Sequence, residues 1–209
     1  MEKASNVVAM LGKNCLGIVS EHRNGPQAQT ETATGTVVES SELSNIFKFG
    51  ERLLVCFSGL SSDITTVRNQ LSFRKDVYEL REMCNITPIA LTNILSNYLY
   101  EHRFAPFFIE SIVAGLDQNT MEPYICSMDL FGQRNVAKDF AVVGSGSKQL
   151  YGVFQTLWRP NLEPHQLFDN ICQSMISAMD RDVMSAWSSI VMILESDKLT
   201  ERTIKGRVD

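Results

Sequence analysis

The order of apolar patterns along the chain constrains its fold more than any other feature of the sequence. A block of strand-like runs is followed by two helical patterns, then by a second block of strands and a second pair of helices, and finally by two strands. No segment rich in proline or glycine interrupts the 209 residues. Strands and helices that occur in separate blocks favour antiparallel sheets with segregated helices. We therefore predict an α+β fold in which two sheets lie between two helical layers.

Apolar alternation and helical spacing place these elements along the chain. Gly12-Lys13-Asn14 separates the first two strands and predicts a tight hairpin turn. Thr87 before Pro88 predicts the N-cap and the first residue of the second helix. The predicted strands lie at residues 7–10, 15–19, 46–49, 52–57, 107–114, 124–128, 140–143, 189–194 and 203–204, and the predicted helices contain residues 64–78, 88–103, 150–157 and 164–181.

The charge balance and the distribution of apolar residues exclude several classes of function. Lysine and arginine total 19 against 24 aspartates and glutamates, a formal charge of −5 with no basic stretch, so we expect no nucleic-acid partner. No apolar run reaches about 18 residues and the first residues lack an apolar signal core, so we expect no membrane partner and no secretory signal. Cysteine and histidine are never paired at the short spacing of a zinc site, so we expect no metal, no cofactor and free buried thiols.

Three local features could carry chemistry, and each has a structural alternative. Gly144-Ser145-Gly146-Ser147, between a strand and a helix, could hold a phosphate on its backbone N–H groups, or could be the tight turn through which the chain enters the helix. Asp180-Arg181-Asp182 could orient groups at the mouth of a site, or be a solvated helix end. The histidines are isolated in the sequence and are expected to be surface or structural residues: His22, His102 and His165.

Several segments, taken in order along the chain, resemble the beta subunits of the proteasome core particle. The resemblance covers essentially the whole sequence, and no one segment carries it alone. The segments shared with the family in general are 57–60 with Asp63, 114–117, 143–147 with 151–152, and 178–182 with Ser185. A second set resembles the non-catalytic type-3 branch of this family: residues 12–15, 27–29, 99–101 with 103–104, 125–130, and 157–158 with 160–161.

This resemblance implies the four-layer αββα sandwich of the N-terminal nucleophile hydrolases. Residues 1–209 would form a single domain of this type, with a loop insertion at about 30–41. The implied partners are the other alpha and beta subunits of stacked rings, together with unfolded polypeptide substrates inside the chamber. Such a particle acts in ubiquitin-dependent protein degradation in the cytoplasm and the nucleus.

The resemblance also indicates whether this subunit is active. Active members use an N-terminal threonine, released by cleavage after a glycine, and its own α-amino group moves the proton. Ser5 stands at the nucleophile position, Glu21 at that of the catalytic aspartate and Asn45 at that of the lysine. Ser5 follows Ala4 rather than glycine, and the lysine is missing, so the resemblance implies a non-catalytic subunit. Matches at supporting positions are then interpreted as structural remnants: Gly59, Gly144, Gly146, Asp182 and Ser185.

Two other hydrolase hypotheses remain open at this point. An autonomous N-terminal nucleophile hydrolase could use Ser5 or Cys15, although the apolar neighbours of Cys15 favour a buried side chain. Gly35-Thr36 also mimics a processing site. Cleavage there would remove the first hairpin and would leave Arg52 and Arg68 where the active pattern has aspartate and lysine.

A non-catalytic beta subunit can still shape the specificity of its neighbour. In the type-3 branch, an aspartate and a cysteine four residues later line the pocket of the neighbouring trypsin-like subunit. These positions correspond to Asp129 and Gln133. Asp129 keeps the negative charge that attracts basic side chains, whereas Gln133 replaces the thiol. The structural alternative is that both are turn residues that face water.

Overall fold

The computed structural model describes residues 5–22, 45–118, 120–179 and 188–205. The predicted insertion at 30–41 with Gly35-Thr36, and the segment that contains Asp182 and Ser185, lie outside the described residues. The described elements are β1 (Val7–Leu11), β2 (Leu16–His22), β3 (Ile46–Gly50), β4 (Leu53–Gly59), α1 (Ser61–Glu82), α2 (Pro88–Glu101), β5 (Ile109–Leu116), β6 (Pro123–Met128), β7 (Arg134–Ala137), β8 (Phe140–Val143), α3 (Ser147–Leu157), α4 (Pro164–Met179), β9 (Ser188–Leu194) and β10 (Leu199–Lys205).

The strands form two five-stranded antiparallel sheets. The first sheet has the order β10-β9-β2-β1-β8, and the second has the order β3-β4-β5-β6-β7. Strand β1 lies inside the first sheet, where Ala9 pairs with Ile18 of β2 on one side and with Ala141 of β8 on the other. The residues just before β1 are therefore held by a strand that is paired on both edges.

Each sheet is covered on both faces, which produces four layers. In β1, Val7 and Ala9 belong to the core between the sheets, whereas Val8 and Met10 pack toward α3 and α4. Successive side chains of a strand point to opposite faces, so an uninterrupted apolar run fits a strand with two dry faces. Helices α1 and α2 cover the second sheet through a separate apolar cluster that contains Leu71 and Leu95. The predicted αββα sandwich is confirmed.

The local signals for turns and helix ends agree with the structure. Thr87 caps α2, with its hydroxyl oxygen accepting a hydrogen bond of 3.3 Å from the Ala90 N–H, and Pro88 occupies the first turn. In the first hairpin turn, Asn14 adopts a positive φ of 54°. Asparagine is among the few residues that enter this region at low cost. None of the helices within the described ranges is long and apolar enough to cross a membrane.

Several expectations from the sequence were wrong in detail. Strand β7 was not predicted, because Arg134-Asn135-Val136-Ala137 is an exposed edge strand without apolar alternation. Strand β10 is longer than predicted, since pairing with β9 over its whole length holds its charged residues in extended backbone. Cys84 is exposed rather than buried, and Cys15 precedes β2 instead of lying within it.

Candidate functional site

Ser5, Glu21 and Asn45, which the resemblance matches to catalytic positions, lie at one end of the sandwich. Ser5 lies immediately before β1 and is only 9% exposed. The Asn45 side-chain amide donates a hydrogen bond to the Ser5 hydroxyl from 40 residues away. The Ser58 hydroxyl, in β4, donates to the Ser5 carbonyl oxygen from 53 residues away. Ser5, two residues before β1 of the first sheet, is therefore held by Asn45, just before β3, and by Ser58 in β4 of the second sheet.

The Glu21 carboxylate binds Asn6. The Asn6 backbone N–H donates to Glu21 Oε2 at 3.2 Å, and its side-chain Nδ2 donates to Oε1 at 3.0 Å. The Glu21 backbone N–H donates in turn to the Asn6 carbonyl at 3.0 Å. Both residues are buried. A buried carboxylate requires such donors, because an uncompensated charge in the interior is costly.

The turn at residues 144–147 closes over these groups. Gly144 has a φ of +117°, and a Cβ atom there would lie 2.7 Å from the Ser5 carbonyl oxygen, so only glycine fits. The Gly144 N–H donates to Glu110 Oε2 at 2.8 Å, and the Gly146 N–H donates to Asn6 Oδ1 at 2.7 Å. Protein acceptors thus occupy both N–H groups, which favours the tight-turn interpretation over a phosphate site.

Gly59 occupies a similarly restricted position at the end of β4. Its φ is +147°, and a Cβ atom there would lie 2.1 Å from the Phe108 carbonyl oxygen. The next residue, Leu60, donates its N–H to that same oxygen at 3.0 Å. This glycine permits the close approach through which the chain leaves β4 and enters α1.

The hydrogen-bond partner of the Ser5 hydroxyl in the described structure is the Asn45 amide. The group at its hydroxyl is a neutral amide, which neither accepts a proton nor stabilises an anion as an ammonium would. No lysine, arginine or histidine forms a hydrogen bond to Ser5 within the described ranges. The same ranges contain no cluster of three or more histidine, cysteine or acidic side chains that could hold a metal ion.

Cys15, the other candidate nucleophile, is a buried thiol. Its sulfur lies 3.8 Å from the Leu162 carbonyl, toward which the S–H is directed. Burial, with smaller effects from Glu195 and Glu163, raises the pKa of Cys15 to about 11. Since the thiolate is the reactive form, this cysteine is almost entirely unreactive at neutral pH.

Asp129 and Gln133 lie in the loop that joins β6 to β7. Asp129 Oδ1 accepts hydrogen bonds from the Phe131 N–H at 2.9 Å and from the Gln133 N–H at 2.8 Å. Asp129 therefore organises the loop through one carboxylate oxygen. Gln133 is exposed and follows this turn directly.

The remaining sequence candidates have separate positions. His102 donates a hydrogen bond of 3.0 Å from Nδ1–H to the Tyr98 carbonyl oxygen, and its ring packs against those of Tyr98 and Phe107. His165 lies on α4 beside Asp169, at 3.6 Å. Arg68 lies within α1 and stacks on Phe47. None of these three charged or ionisable groups has a hydrogen bond to the Ser5 cluster among the described residues.

Comparisons with known proteins show the family of the chain. A family model described as Proteasome subunit matches residues 1–194. The chain is 50% identical over 203 residues to the Drosophila melanogaster protein named Proteasome subunit beta type-3, with 97% of this chain and 95% of that protein covered. With the same coverage, it is 40% identical to the Caenorhabditis elegans protein and 37% identical to the Saccharomyces cerevisiae protein of that name. The chain belongs to the proteasome subunit family, which confirms the resemblance inferred from the sequence.

The sequence did not reveal the residues that hold this cluster together. Asn6, Ser58 and Glu110 each provide a side chain that binds the backbone or side chains of the central residues. The available signal was a polar residue at the end of an apolar strand run, as in Ser5-Asn6 before β1 and Ser58 at the end of β4. Such residues often mark buried hydrogen bonds, but the partner is not readable from the sequence.

Proposed function

We propose that this chain is a non-catalytic structural beta subunit of the eukaryotic proteasome core particle. Its partners are the other alpha and beta subunits, and it acts in ubiquitin-dependent protein degradation in the cytoplasm and nucleus, around a chamber that receives unfolded polypeptides. The observation that carries the lack of catalysis is the hydrogen bond from the Asn45 amide to the Ser5 hydroxyl. The similarity to beta type-3 subunits of insect, nematode and yeast supports the structural role.

The physical argument concerns proton transfer. A serine hydroxyl attacks a carbonyl only when a nearby base removes its proton. Ser5 is joined to Ala4 and so lacks a free α-amine in this sequence, and Asn45 replaces the cation that would tune such an amine. The Glu21 carboxylate is bound to Asn6. We interpret Ser5, Glu21 and Asn45 as degenerate catalytic positions, and Gly59, Gly144, Gly146, Asp182 and Ser185 as structural remnants.

The alternative of an autonomous hydrolase is not favoured. Ser5 has no base at its hydroxyl among the described residues, and the raised pKa of Cys15 keeps its thiol protonated. Residues 1–209 are proposed to form one domain, with residues 30–41 as an insertion of unassigned role. Limited proteolysis of the assembled particle tests this proposal, because cleavage within 30–41 should leave both fragments in the particle.

The first experiment measures whether the chain is processed. Core particles are purified from source cells, examined by native mass spectrometry, and the mass of this chain is read after release. We expect a large multi-subunit particle in which the bond between Ala4 and Ser5 is intact. A chain that begins at Ser5, Cys15 or Thr36 would contradict the proposal. As a second readout, Ser5→Ala should leave every peptidase activity of the particle unchanged.

We further propose that Asp129 and Gln133 line the specificity pocket of the neighbouring trypsin-like subunit. Asp129 Oδ1 is engaged in the loop, and the carboxylate charge at this half-buried position acts on side chains that approach the loop. Asp129→Asn keeps an oxygen for the turn and removes the charge. Loss of the attraction between this carboxylate and a basic substrate side chain should cost about 1 kcal/mol, which is roughly a fivefold change in rate.

The matched measurement is cleavage by the assembled particle after basic and after apolar residues. Asp129→Asn should lower cleavage after basic residues roughly fivefold and leave cleavage after apolar residues unchanged. Asp197→Asn is the control, because this carboxylate lies in the turn between β9 and β10. Equal selectivity of the Asp129 variant and the wild-type particle would contradict the proposal that Asp129 lines this pocket.

A further inference from the structure

A cavity of about 370 Å³ lies between α2 and the loop that joins β6 to β7. None of its lining residues takes part in the hydrogen bonds around Ser5. Its main walls are Ser96, Asn97 and Tyr100 from the helix, Phe131 and Gln133 from the loop, and Arg134, the first residue of β7.

Direct hydrogen bonds hold the two walls together. The Ser96 hydroxyl donates to the Gly132 carbonyl at 2.6 Å, and the Arg134 guanidinium donates to the Asn93 side-chain oxygen. Asn93, Ser96 and Tyr100 are three and four residues apart, so they share one face of α2. Because Asp129 also closes the loop, the cavity is preformed and needs no rearrangement to accept a side chain.

Exposed aromatic residues and an arginine form the rim beside this cavity. Tyr100 is 57% exposed and Phe104 is 86% exposed. The Arg103 guanidinium carbon lies 4.7 Å from the Tyr100 ring centroid and 4.3 Å from the Phe104 ring centroid. Exposed tyrosine, phenylalanine and arginine around a pocket are the composition of binding hot spots between proteins.

The charge at this rim is positive and not neutralised. Arg103 and Arg134 form no ion pair within the described ranges, and no carboxylate lines the cavity. The nearest acidic residue of α2, Glu101, is already paired with Arg74 at 2.8 Å. Asp129 directs one carboxylate oxygen into its own loop. A partner that is complementary to this surface therefore presents a carboxylate beside an apolar group.

We propose that this cavity receives an acidic side chain, together with an adjacent apolar one, from the next beta-type subunit of the ring. This inference rests on the proposed function. It adds the kind of side chain through which the next subunit would bind at this cavity. Gln133 lines the cavity and belongs to the same loop as Asp129, so the surface is continuous with the proposed contribution to the neighbour's pocket. Tyr100 and Phe104 then contact the same neighbouring subunit whose specificity pocket Asp129 is proposed to line.

The first test uses photo-crosslinking in assembled particles. Tyr100 is replaced by p-benzoylphenylalanine, the particles are irradiated, and the joined peptides are identified by mass spectrometry. We expect one crosslinked peptide that contains aspartate or glutamate and comes from another beta-type subunit. The same replacement at Tyr151, an exposed residue of α3 in the other helical layer, should not give that peptide. A crosslink from position 100 to a second copy of this chain, or to no subunit, overturns the proposal.

The second test compares incorporation in competition. Tagged wild-type chain is co-expressed with Arg103→Glu, or with Arg81→Glu as a control on exposed α1 surface, and the ratio of the two chains in purified particles is measured. Arg103→Glu should be depleted roughly tenfold or more, and Arg81→Glu should match the wild type. Equal incorporation of Arg103→Glu overturns the docking inference alone. Wild-type chain found outside any multi-subunit particle overturns both this inference and the proposed function.

Discussion

Replacement of Asn6 by alanine should destabilise the chain strongly, because this one buried side chain binds both the buried Glu21 carboxylate and the half-buried N–H of Gly146. Asn6 is 2% exposed, and its Nδ2 donates to Glu21 while its Oδ1 accepts from the Gly146 N–H. A hydrogen bond to a charged group contributes about 1.5–3 kcal/mol, and a partly buried N–H left without its acceptor costs about 1–2 kcal/mol, toward the lower end of the range for a fully buried one. We therefore expect Asn6→Ala to lower the free energy of unfolding by about 3–5 kcal/mol.

Equilibrium urea unfolding followed by tryptophan fluorescence measures this change. Gln155→Ala, an exposed substitution on α3, is the control and should stay within about 0.5 kcal/mol of the wild type. The double variant with Glu21→Gln should lose less than the sum of the single losses, with a coupling of about 1 kcal/mol or more. A loss below about 1 kcal/mol for Asn6→Ala, or strict additivity with Glu21→Gln, would refute the reasoning.

Three further predictions follow from burial and backbone geometry. At neutral pH, iodoacetamide should label exposed Cys84 and spare Cys15, whose raised pKa keeps its thiol protonated; peptide mass spectrometry of the folded chain measures both. Ser111→Ala should be neutral or slightly stabilising in thermal unfolding, since its buried hydroxyl has no hydrogen-bond partner in the described part of the chain. Gly144→Ala should cost about 2–4 kcal/mol, whereas Gly152→Ala, with open space at its Cβ position, should not destabilise; urea unfolding of the pair distinguishes them.

The hydrogen-bonded cluster around Ser5 connects the two sheets. Ser5 leads into β1 of the first sheet, whereas Ser58 and Glu110 lie in β4 and β5 of the second. Ser58 binds the Ser5 carbonyl, and Glu110 binds the N–H of Gly144 just after β8. These hydrogen bonds join the two sheets at one end of the sandwich. This connection gives the polar groups at this position a structural role.

The helices and most strands were predictable because their signals are local. Thr87 and Pro88 supply the N-cap and the first residue of α2, and the buried apolar residues of this helix recur three and four positions apart. Strand β7 was missed because its extended backbone depends on pairing with β6 rather than on its own residues. Likewise, α2 was predicted to continue to Arg103, but regular helix ends at Glu101.

The sequence by itself determined the class of fold and the family, since both depend on residue identity in chain order. Only the tertiary structure decided that Asn45 binds the Ser5 hydroxyl, that Asn6 binds Glu21, and that Phe131 and Arg134 meet α2 around a cavity. Backbone preferences act over a few residues, so they specify strands, turns and helices one at a time. Hydrogen bonds between residues 40 or more apart depend on how two complete sheets pack, and no local pattern encodes that distance.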